Sequence, residues 1–377
     1  MSVQVHQPTM QTSMDLLSQL LLQRGCIGDP RSPILAKHGI LAKQGPEACN
    51  ISRNHFDELV ALAQSNHVIM RGMNAFLEIA REANDGLRAE WAETALAAED
   101  ARIRTAIKFL HAICGAFEAE RFDVAVIKSL DHWPDLGSDL DLYTDAPPEQ
   151  VSRMMQQRFD AKTAPRSWGD RLANKWNFAI PGLPELVEIH MGRLGQTGEQ
   201  VTMASRLLRR GRWIAISDYQ FKVTSTSDRI MISTLQRMYR HFYFRLCDIV
   251  DSAGLAESGG IDYEDLQSSS SDAGIWEGVA TYLVIVSDYV KRYRGSGINL
   301  PDAVVKKAQF GGADIYFNKA FLRVPIMPQS ARLYGTQLAG LMRRRNVLGG
   351  ARLSLLPWLA SAALVGQKIT GSDKGIW

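Results

Sequence analysis

The chain contains 377 residues, of which 46% are hydrophobic, and its 43 Lys+Arg and 40 Asp+Glu give a net charge of +3. This hydrophobic content excludes wholesale disorder, and the near balance of charge gives no case for bulk electrostatic binding of nucleic acid. Four scattered cysteines form no CxxC pair, which argues against a zinc ribbon and suits buried thiols in a reducing compartment. These cysteines are Cys26, Cys49, Cys114 and Cys247.

The first 120 residues are predicted to be largely helical. An apolar-striped segment occupies residues 14–23, and a loop rich in Gly, Pro and Asn covers residues 25–50. Ser52 is a candidate N-cap for the next helix, and residues 91–120 show apolar spacing typical of a further helix. The N-terminal stretch lacks the basic region and apolar core of a signal peptide, so we expect a cytoplasmic protein.

A group of short strands follows this helical region. The predicted strands are residues 122–129, 139–145, 175–181, 185–191 and 213–216, which are β-branched or alternate between apolar and polar residues. Between the second and third strands, Pro147 and Pro148 open a predicted helix over residues 147–159, since proline is tolerated in the first turn.

The remainder of the chain returns to helical periodicity. The predicted elements are a long amphipathic helix over residues 227–255, a loop over residues 268–274 and a helix over residues 275–295. Ser227 is the expected cap of the first helix, and Gly295 ends the last. Leu353–Val365 is too short for a membrane span and favours a buried helix. The arginines just upstream leave an interfacial membrane helix as the alternative.

Two carboxylates carry the clearest chemical signal. Asp139 and Asp141 are two residues apart on a predicted strand, so both point to one face while Leu140 and Leu142 point to the other. Adjacent carboxylates repel unless a cation neutralises them, and Mg²⁺ prefers such oxygen ligands together with substrate phosphates. An alternating solvated strand face is the alternative interpretation of the pair by itself.

A third carboxylate strengthens the metal-binding interpretation. Alternation places Glu188 and His190 on one face of their predicted strand, and three carboxylates are enough to hold two metal ions for phosphoryl or nucleotidyl transfer. Lys128 and Ser129, at the end of the first strand, are candidates to hold triphosphate oxygens. His190 is expected either to orient Glu188, to contact the substrate or to make a structural hydrogen bond.

Other polar groups in the helical segment are interpreted more conservatively. Arg240 and Arg245 are expected on a solvated helix face, with contact to a substrate phosphate as the alternative. His241 is expected to be a packed or helix-face histidine. We find no OB-fold, RRM or helix-turn-helix signature, so nucleic-acid binding is not expected.

The segment around these acidic residues resembles the nucleotidyltransferase superfamily that includes DNA polymerase beta. The superfamily pattern is a hydrophobic residue, Gly, then Gly or Ser, and after a short gap Asp, a hydrophobic residue and Asp or Glu. Ile127-Lys128-Ser129 followed by Asp139-Leu140-Asp141 is similar to this pattern. The branch most similar to this chain is a bacterial group of uncharacterised nucleotidyltransferases, whose later acidic-hydrophobic-His strand resembles Glu188-Ile189-His190.

The resemblance spans roughly residues 105–295, and the same branch has a helix with His and then Asp, similar to His241 and Asp248. It implies an α+β fold with a small mixed-sheet nucleotidyltransferase core flanked by N-terminal and C-terminal helical regions. The expected divisions are residues 1–104 (helical region), 105–217 (nucleotidyltransferase core), 218–300 (helical domain on the core) and 301–377 (helical extension).

The implied reaction is Mg²⁺-dependent transfer of a nucleoside monophosphate from an NTP to a hydroxyl or phosphate of a small-molecule or peptide acceptor, with release of pyrophosphate. Asp139 and Asp141 would bind both of two Mg²⁺ ions, and Glu188 would complete the ion nearest the nucleophile. Lys128 and Ser129 would hold the triphosphate.

Two rival functions follow from other features. Lys128-Ser129 stands where the superfamily has glycines, which favours a non-catalytic nucleotide-binding scaffold. The Arg-rich and apolar C-terminal stretch leaves a peripheral membrane-associated partner protein as the other alternative.

Overall fold

The computed structural model describes residues 10–23, 51–359 and 361–362, so the loop expected at residues 25–50 lies outside the described residues. The protein has a mixed α+β fold with a seven-stranded mixed sheet and a three-stranded antiparallel sheet. The helices are α1 (Met10–Leu22), α2 (Arg53–Ser65), α3 (Ile69–Glu82), α4 (Gly86–Ala119), α5 (Pro148–Phe159), α6 (Trp168–Leu172), α7 (Val201–Arg210), α8 (Thr226–Thr234), α9 (Leu246–Glu257), α10 (Tyr263–Ala273), α11 (Trp276–Arg294), α12 (Asp302–Lys307), α13 (Ala331–Arg343) and α14 (Val347–Ser354).

The large sheet has the strand order β3-β4-β5-β2-β1-β7-β6. Its strands are β1 (Val124–Val126), β2 (Asp139–Thr144), β3 (Lys162–Thr163), β4 (Lys175–Ala179), β5 (Leu186–Met191), β6 (Arg212–Ile216) and β7 (Tyr219–Val223). β2 pairs antiparallel with β1 and parallel with β5, and β4 pairs antiparallel with β5. The five predicted strands are confirmed, although the first is shorter than expected.

The N-terminal helices form where the sequence predicts them. The Ser52 hydroxyl accepts a hydrogen bond from His55 N at 3.3 Å, so the predicted N-cap of α2 is confirmed. Phe56 and Leu59, on its apolar face, are buried. α4 is one continuous helix from Gly86 to Ala119, and it therefore crosses the division expected at residue 104.

The large sheet buries one face under α4 and α5. Leu140, Leu142, Val187 and Ile189 are all 0% exposed and belong to a hydrophobic core that includes the C-terminal half of α4. The alternation predicted for these two strands is therefore confirmed: apolar residues enter the core, and the intervening polar residues point away from it.

The single helix predicted over residues 227–255 is wrong. Ser225, rather than Ser227, caps α8, and α8 continues into a π-helical turn, Leu235–Arg240, before the helical path breaks. Phe242 has a φ of +54°, and its carbonyl accepts a hydrogen bond from Val324 N at 2.8 Å. The aromatic run after it favours strand pairing over helix continuation.

That aromatic run forms β8 (Tyr243–Phe244), which belongs to the small sheet. The other strands of this sheet are β9 (Tyr316–Asn318) and β10 (Phe321–Arg323), with β10 in the centre. The chain then resumes a helical path as α9.

The loop predicted over residues 268–274 is also wrong, because these residues continue α10. Asp262 caps α10 by accepting from the backbone of Glu264 and Asp265, and the Ser270 hydroxyl donates to Leu266 O at 2.6 Å. A serine is compatible with a helix when its hydroxyl donates a hydrogen bond to a backbone carbonyl of the preceding turn. Gly274, with a φ of +73°, ends α10, and the predicted stop of α11 at Gly295 is confirmed.

The C-terminal segment differs from the expected buried helix over Leu353–Val365. Leu353 is 2% exposed, but Leu355 is 43% and Trp358 is 76% exposed, so burial is wrong for most of the described part of this segment. Within the described residues, no helix combines the length and apolar character needed to cross a bilayer.

The core beneath β2 predicts a clear contrast between two leucine truncations. Leu142→Ala should lower the free energy of unfolding by about 2–5 kcal/mol, because it leaves a cavity in the core. Leu87→Ala is the matched control, since Leu87 is 58% exposed in the first turn of α4, and its effect should stay within about 0.5 kcal/mol. Urea unfolding measures both variants, and equal losses would contradict this placement of the core.

Candidate active site

The register of two parallel strands brings the predicted acidic residues together. Asp141 on β2 pairs directly with Glu188 on β5, and Tyr143 pairs with His190. Side chains of directly paired residues point to the same face of a sheet, and residues two apart share that face. Asp139, Asp141, Glu188 and His190 therefore lie together on the face opposite the α4 core. Ligand atoms of the last three lie within 4.8 Å of one another.

A strained turn delivers Lys128 to this face. Lys128 follows β1 with φ +61° and ψ −57°, and Ser129 N donates to Ile127 O at 2.6 Å. This is the rare, strained form of γ-turn, which glycine would adopt without steric cost. A lysine in such a conformation costs on the order of 1–3 kcal/mol, and strain of this kind clusters at functional sites.

Ser129 ties this turn to the acidic strand. Its hydroxyl accepts from Asp141 N at 2.7 Å and donates to Asp139 O at 3.1 Å, and the residue is 2% exposed. The hydroxyl thus fixes the backbone beneath both aspartates. Its expected contact with a triphosphate stays a prediction.

Two lysines neutralise the carboxylates in this structure. The Lys128 ammonium contacts Asp141 and lies 3.1 Å from Glu188 Oε1. The Lys175 ammonium lies 3.0 Å from Glu188 Oε2 and 2.9 Å from Asp170 Oδ1. Charged groups buried this deeply are costly unless paired, so the network stabilises the fold only while its partners remain together.

His190 acts on Glu188 in this geometry. Its Nε2 lies 2.8 Å from Glu188 Oε1, whereas its Nδ1 is buried and makes no hydrogen bond to the described residues. Burial lowers the pKa of His190 to about 4, although Glu188 opposes this shift. A neutral His190 therefore donates Nε2–H to Glu188, a contact that agrees with two of its three expected roles, orienting Glu188 and making a structural hydrogen bond.

The pKa values of the two paired carboxyl groups are shifted in opposite directions. Burial, reinforced by the negative charge of Glu188, raises the pKa of Asp141 to about 8 despite the nearby Lys128. Burial opposes ionisation of Glu188 as well, but Lys128, His190 and Lys175 together hold its pKa well below the ordinary value. Burial and the charge of Glu188 also raise the pKa of Asp139. In the ligand-free site Glu188 is the ionised member of the pair.

These residues line a cavity of about 1120 Å³, here called the central cavity. The acidic face and Lys128 form one wall, and Arg237, Arg240 and Arg245 contribute to another. Ligand pockets usually occupy about 300–1,000 Å³, so the central cavity has room for a nucleotide and part of a second molecule. Residues of the C-terminal region, including Tyr334 and Pro357, close a further side.

The structure differs from the solvated helix face expected for Arg240 and Arg245. Both residues are half-buried and line the cavity: Arg240 ends the π-helical turn, and Arg245 follows β8. His241, expected on a packed or helix face, also lines the cavity beyond the end of the π-helical turn. Tyr243 stacks on Phe321 with ring centroids 4.4 Å apart, and Arg323 lies 5.1 Å from the Tyr243 ring.

Sequence reasoning missed Lys175 and Asp170. Lys175 pairs with His190 across the β4–β5 register, and Asp170 lies in α6, just before β4. Alternation in Lys-Trp-Asn-Phe was the available signal for Lys175, because it sets Lys175 and Asn177 on one face of β4. No local sequence pattern indicates Asp170, because its contact with Lys175 depends on how α6 packs against β4.

The donor set fits a hard divalent cation. Carboxylate oxygens on adjacent strands suit Mg²⁺, and two buried ammonium groups already lie where positive charge is needed. Asp139 is half-buried beside the Asp141–Glu188 pair and lines the same cavity. Comparison with protein-family models and with curated proteins finds no match for this sequence.

Replacing the carboxyl group of Asp141 by an amide and replacing that of Glu188 should have opposite effects on stability. Glu188→Gln removes the charge that holds Lys128, Lys175 and His190, so it should lower the free energy of unfolding by about 3–5 kcal/mol near neutral pH. Asp141→Asn removes a carboxyl whose folded-state pKa is raised. Between its unfolded and folded pKa, the native wild type binds a proton that the unfolded chain releases, so wild-type stability falls as pH rises.

Asp141→Asn should therefore gain stability relative to wild type as pH rises from about 5 to about 8. Urea unfolding of both variants across this range measures the effect. An Asp141→Asn protein that loses stability against wild type as pH rises would contradict the titration order, because it would mean that Asp141 is the ionised partner of Lys128.

Proposed function

We propose that this protein is a Mg²⁺-dependent nucleotidyltransferase. It would transfer a nucleoside monophosphate from an NTP to a hydroxyl or phosphate of a small-molecule or peptide acceptor, releasing pyrophosphate. The observation that carries this proposal is the direct pairing of Asp141 with Glu188, next to Asp139 and to the strained Lys128 turn. This arrangement agrees with the order of motifs in the nucleotidyltransferase superfamily that the sequence resembles.

The backbone turn after β1 also supports the nucleotidyltransferase proposal. The superfamily has glycine where Lys128 stands, and Lys128 has a φ of +61°, a conformation that favours glycine. The departure in residue type therefore leaves the expected backbone path intact. It adds an ammonium group to a turn that would otherwise offer backbone amides alone.

The roles of the side chains follow from charge and position. Asp139 and Asp141 would hold Mg²⁺ together with the triphosphate, and Glu188 would complete the site. Bound Mg²⁺ would supply charge neutralisation at the transferred phosphoryl group and its leaving pyrophosphate. Lys128 would turn from the carboxylates to a phosphate oxygen, and His190 would keep Glu188 oriented.

The chemical step needs one base. The acceptor oxygen would attack the α-phosphorus, its P–O bond would form as the bond to the bridging oxygen breaks, and the proton would pass to Glu188. Glu188 is ionised in the ligand-free site and so is able to accept this proton, and its low pKa makes it a weak base. Positioning and electrostatics would supply most of the acceleration.

The cavity favours a compact acceptor over a polymer. Its volume of about 1120 Å³ holds one nucleotide with a small molecule or a peptide segment. Arg240, Arg245 and Arg323 line it, which suits an anionic triphosphate, and the Tyr243–Phe321 stack offers an apolar surface for a base or an acceptor ring.

A non-catalytic nucleotide-binding scaffold is the second candidate. The observation that favours it is the contact of Lys128 with Asp141 and Glu188 and of Lys175 with Glu188, which compensates the charge of Glu188 without a metal. Such a protein would bind NTP and release no pyrophosphate with any acceptor.

Asp139→Asn/Asp141→Asn should abolish Mg²⁺-dependent NTP binding and lower pyrophosphate release by at least about 100-fold, because the cation loses two ligands. Calorimetry with each of the four NTPs measures binding, and a pyrophosphate assay supplemented with cell extract measures turnover. Asp145→Asn is the matched control, since Asp145 is exposed just beyond β2. Equal NTP binding by wild type and the double variant would contradict the proposal. NTP binding without pyrophosphate release in every extract would favour the non-catalytic scaffold.

Lys128→Met should separate cation binding from nucleotide binding. It removes an ammonium that competes for the carboxylates, so Mg²⁺ alone should bind more tightly. It also removes a phosphate contact of about 1.5–3 kcal/mol, so NTP should bind roughly 10- to 150-fold more weakly. Lys162→Met, at an exposed position on β3, is the control. Unchanged NTP affinity in Lys128→Met would rule out a triphosphate contact for Lys128.

A further inference from the structure

A second group of ligand-type side chains lies at the edge of the central cavity, apart from the acidic face. Ligand atoms of His67, His132 and Cys247 lie within 4.8 Å of one another. His132 Nε2 lies 3.7 Å from Cys247 Sγ. Zn–S and Zn–N bonds of about 2.3 and 2.0–2.1 Å in a tetrahedral site place sulfur and nitrogen about 3.5 Å apart. The thiol and the imidazole are thus spaced almost as two ligands of one zinc ion.

Three distant parts of the chain build this group. His67 lies in the turn between α2 and α3, His132 ends the 3₁₀ turn after β1, and Cys247 lies in the first turn of α9. Asn66 joins two of them, because its side-chain Oδ1 accepts from Leu246 N at 3.0 Å and its carbonyl accepts from Cys247 N at 3.3 Å. The arrangement is therefore held by backbone contacts rather than by chance proximity of surface side chains.

The two histidines differ in their partners. His132 Nδ1 lies 2.5 Å from Asp251 Oδ2, which leaves Nε2 directed to the cysteine; this is the carboxylate–histidine arrangement found behind zinc ligands. Asp251 is held in turn by Arg71, at 2.6 Å. His67 is 8% exposed, and its Nδ1 makes no hydrogen bond within the described part of the chain.

The His67 ring is closely packed. His67 has a φ of +54°, in the left-handed region where histidine, asparagine and aspartate are the more frequent residues besides glycine. A Cβ on Gly137 would lie 3.3 Å from the His67 ring, so the ring packs closely on a glycine. This close packing fixes the direction of an imidazole whose Nδ1 has no hydrogen-bond partner among the described residues.

We propose that His67, His132 and Cys247 bind Zn²⁺, with a fourth position completed by water or by a ligand from the central cavity. One thiolate and two imidazoles are the donors that zinc prefers over Mg²⁺. His67 and His132 line the central cavity, so an exogenous fourth ligand can reach the ion. The ion fastens the α2–α3 turn and α9 to the turn that follows β1, and it thereby fixes one wall of the cavity.

A hydrolytic Cys–His–Asp triad is the competing interpretation of Cys247, His132 and Asp251. Cys247 is 0% exposed, so a substrate carbonyl has no access to its sulfur. Metal ligation requires no such access from bulk solvent, because the ion itself fills the space between the donors.

The test is the metal content of the full-length protein. Wild type purified without chelator should contain about one equivalent of zinc by mass spectrometry, and its cobalt-substituted form should show thiolate-to-cobalt charge-transfer absorption. Cys247→Ser and His67→Asn should each lower zinc affinity by at least about tenfold, and Cys247→Ser should abolish that absorption band. Asparagine is chosen at position 67 because it tolerates the positive φ.

Matched controls separate this site from other thiols and from the acidic site. Cys114→Ser and the double variant Cys26→Ser/Cys49→Ser should retain zinc, as should Asp141→Asn, which disables only the proposed nucleotide site. Circular dichroism verifies that each variant is folded. Wild type without zinc that also fails to take up added zinc or cobalt overturns the proposal. Zinc retained by both folded ligand variants overturns it equally, since the ion would then lie elsewhere.

Discussion

Two carboxylates held side by side on parallel strands are the constraint on which the site depends. The apolar core on the opposite face of the sheet fixes β2 and β5, so Asp141 and Glu188 cannot move apart to relieve repulsion between two charges. Burial and the charge of Glu188 instead raise the pKa of Asp141, and Lys128 and Lys175 compensate the charge that Glu188 keeps. The strained turn at Lys128 brings an ammonium group to this pair from the end of the adjacent strand.

The rest of the molecule arranges a cavity around this acidic pair. Arg240 at the end of the π-helical turn and Arg245 after β8 both line the cavity, and the small sheet adds a stacked aromatic pair. The C-terminal residues, which carry no motif, form a further side of the cavity. The chain beyond the large sheet therefore shapes the binding space, while the sheet carries the ionisable groups that define its chemistry.

The site was more predictable from sequence than the walls of its cavity. Alternation of polar and apolar residues within single strands places Asp139, Asp141 and Glu188 correctly, because that rule is local. The break at Phe242 and the approach of Lys175 to Glu188 depend on pairing with distant strands, and no local pattern encodes them. The serine run in α10 resembles a loop in composition, but the Ser270 hydroxyl donates to the preceding helical turn, which composition alone does not reveal.

A crystal structure of the full-length protein with Mg²⁺ and a non-hydrolysable NTP tests the proposed site most directly. We expect a cation bound by Asp141 and Glu188 with Asp139 nearby, and the Lys128 ammonium moved from the carboxylates to a phosphate oxygen. Lys128 still lying between the two carboxylates, with the nucleotide bound elsewhere or not at all, would contradict this expectation. The acidic pair would then be a buried ion-pair network that stabilises the sheet, and the function would have to be sought at another site.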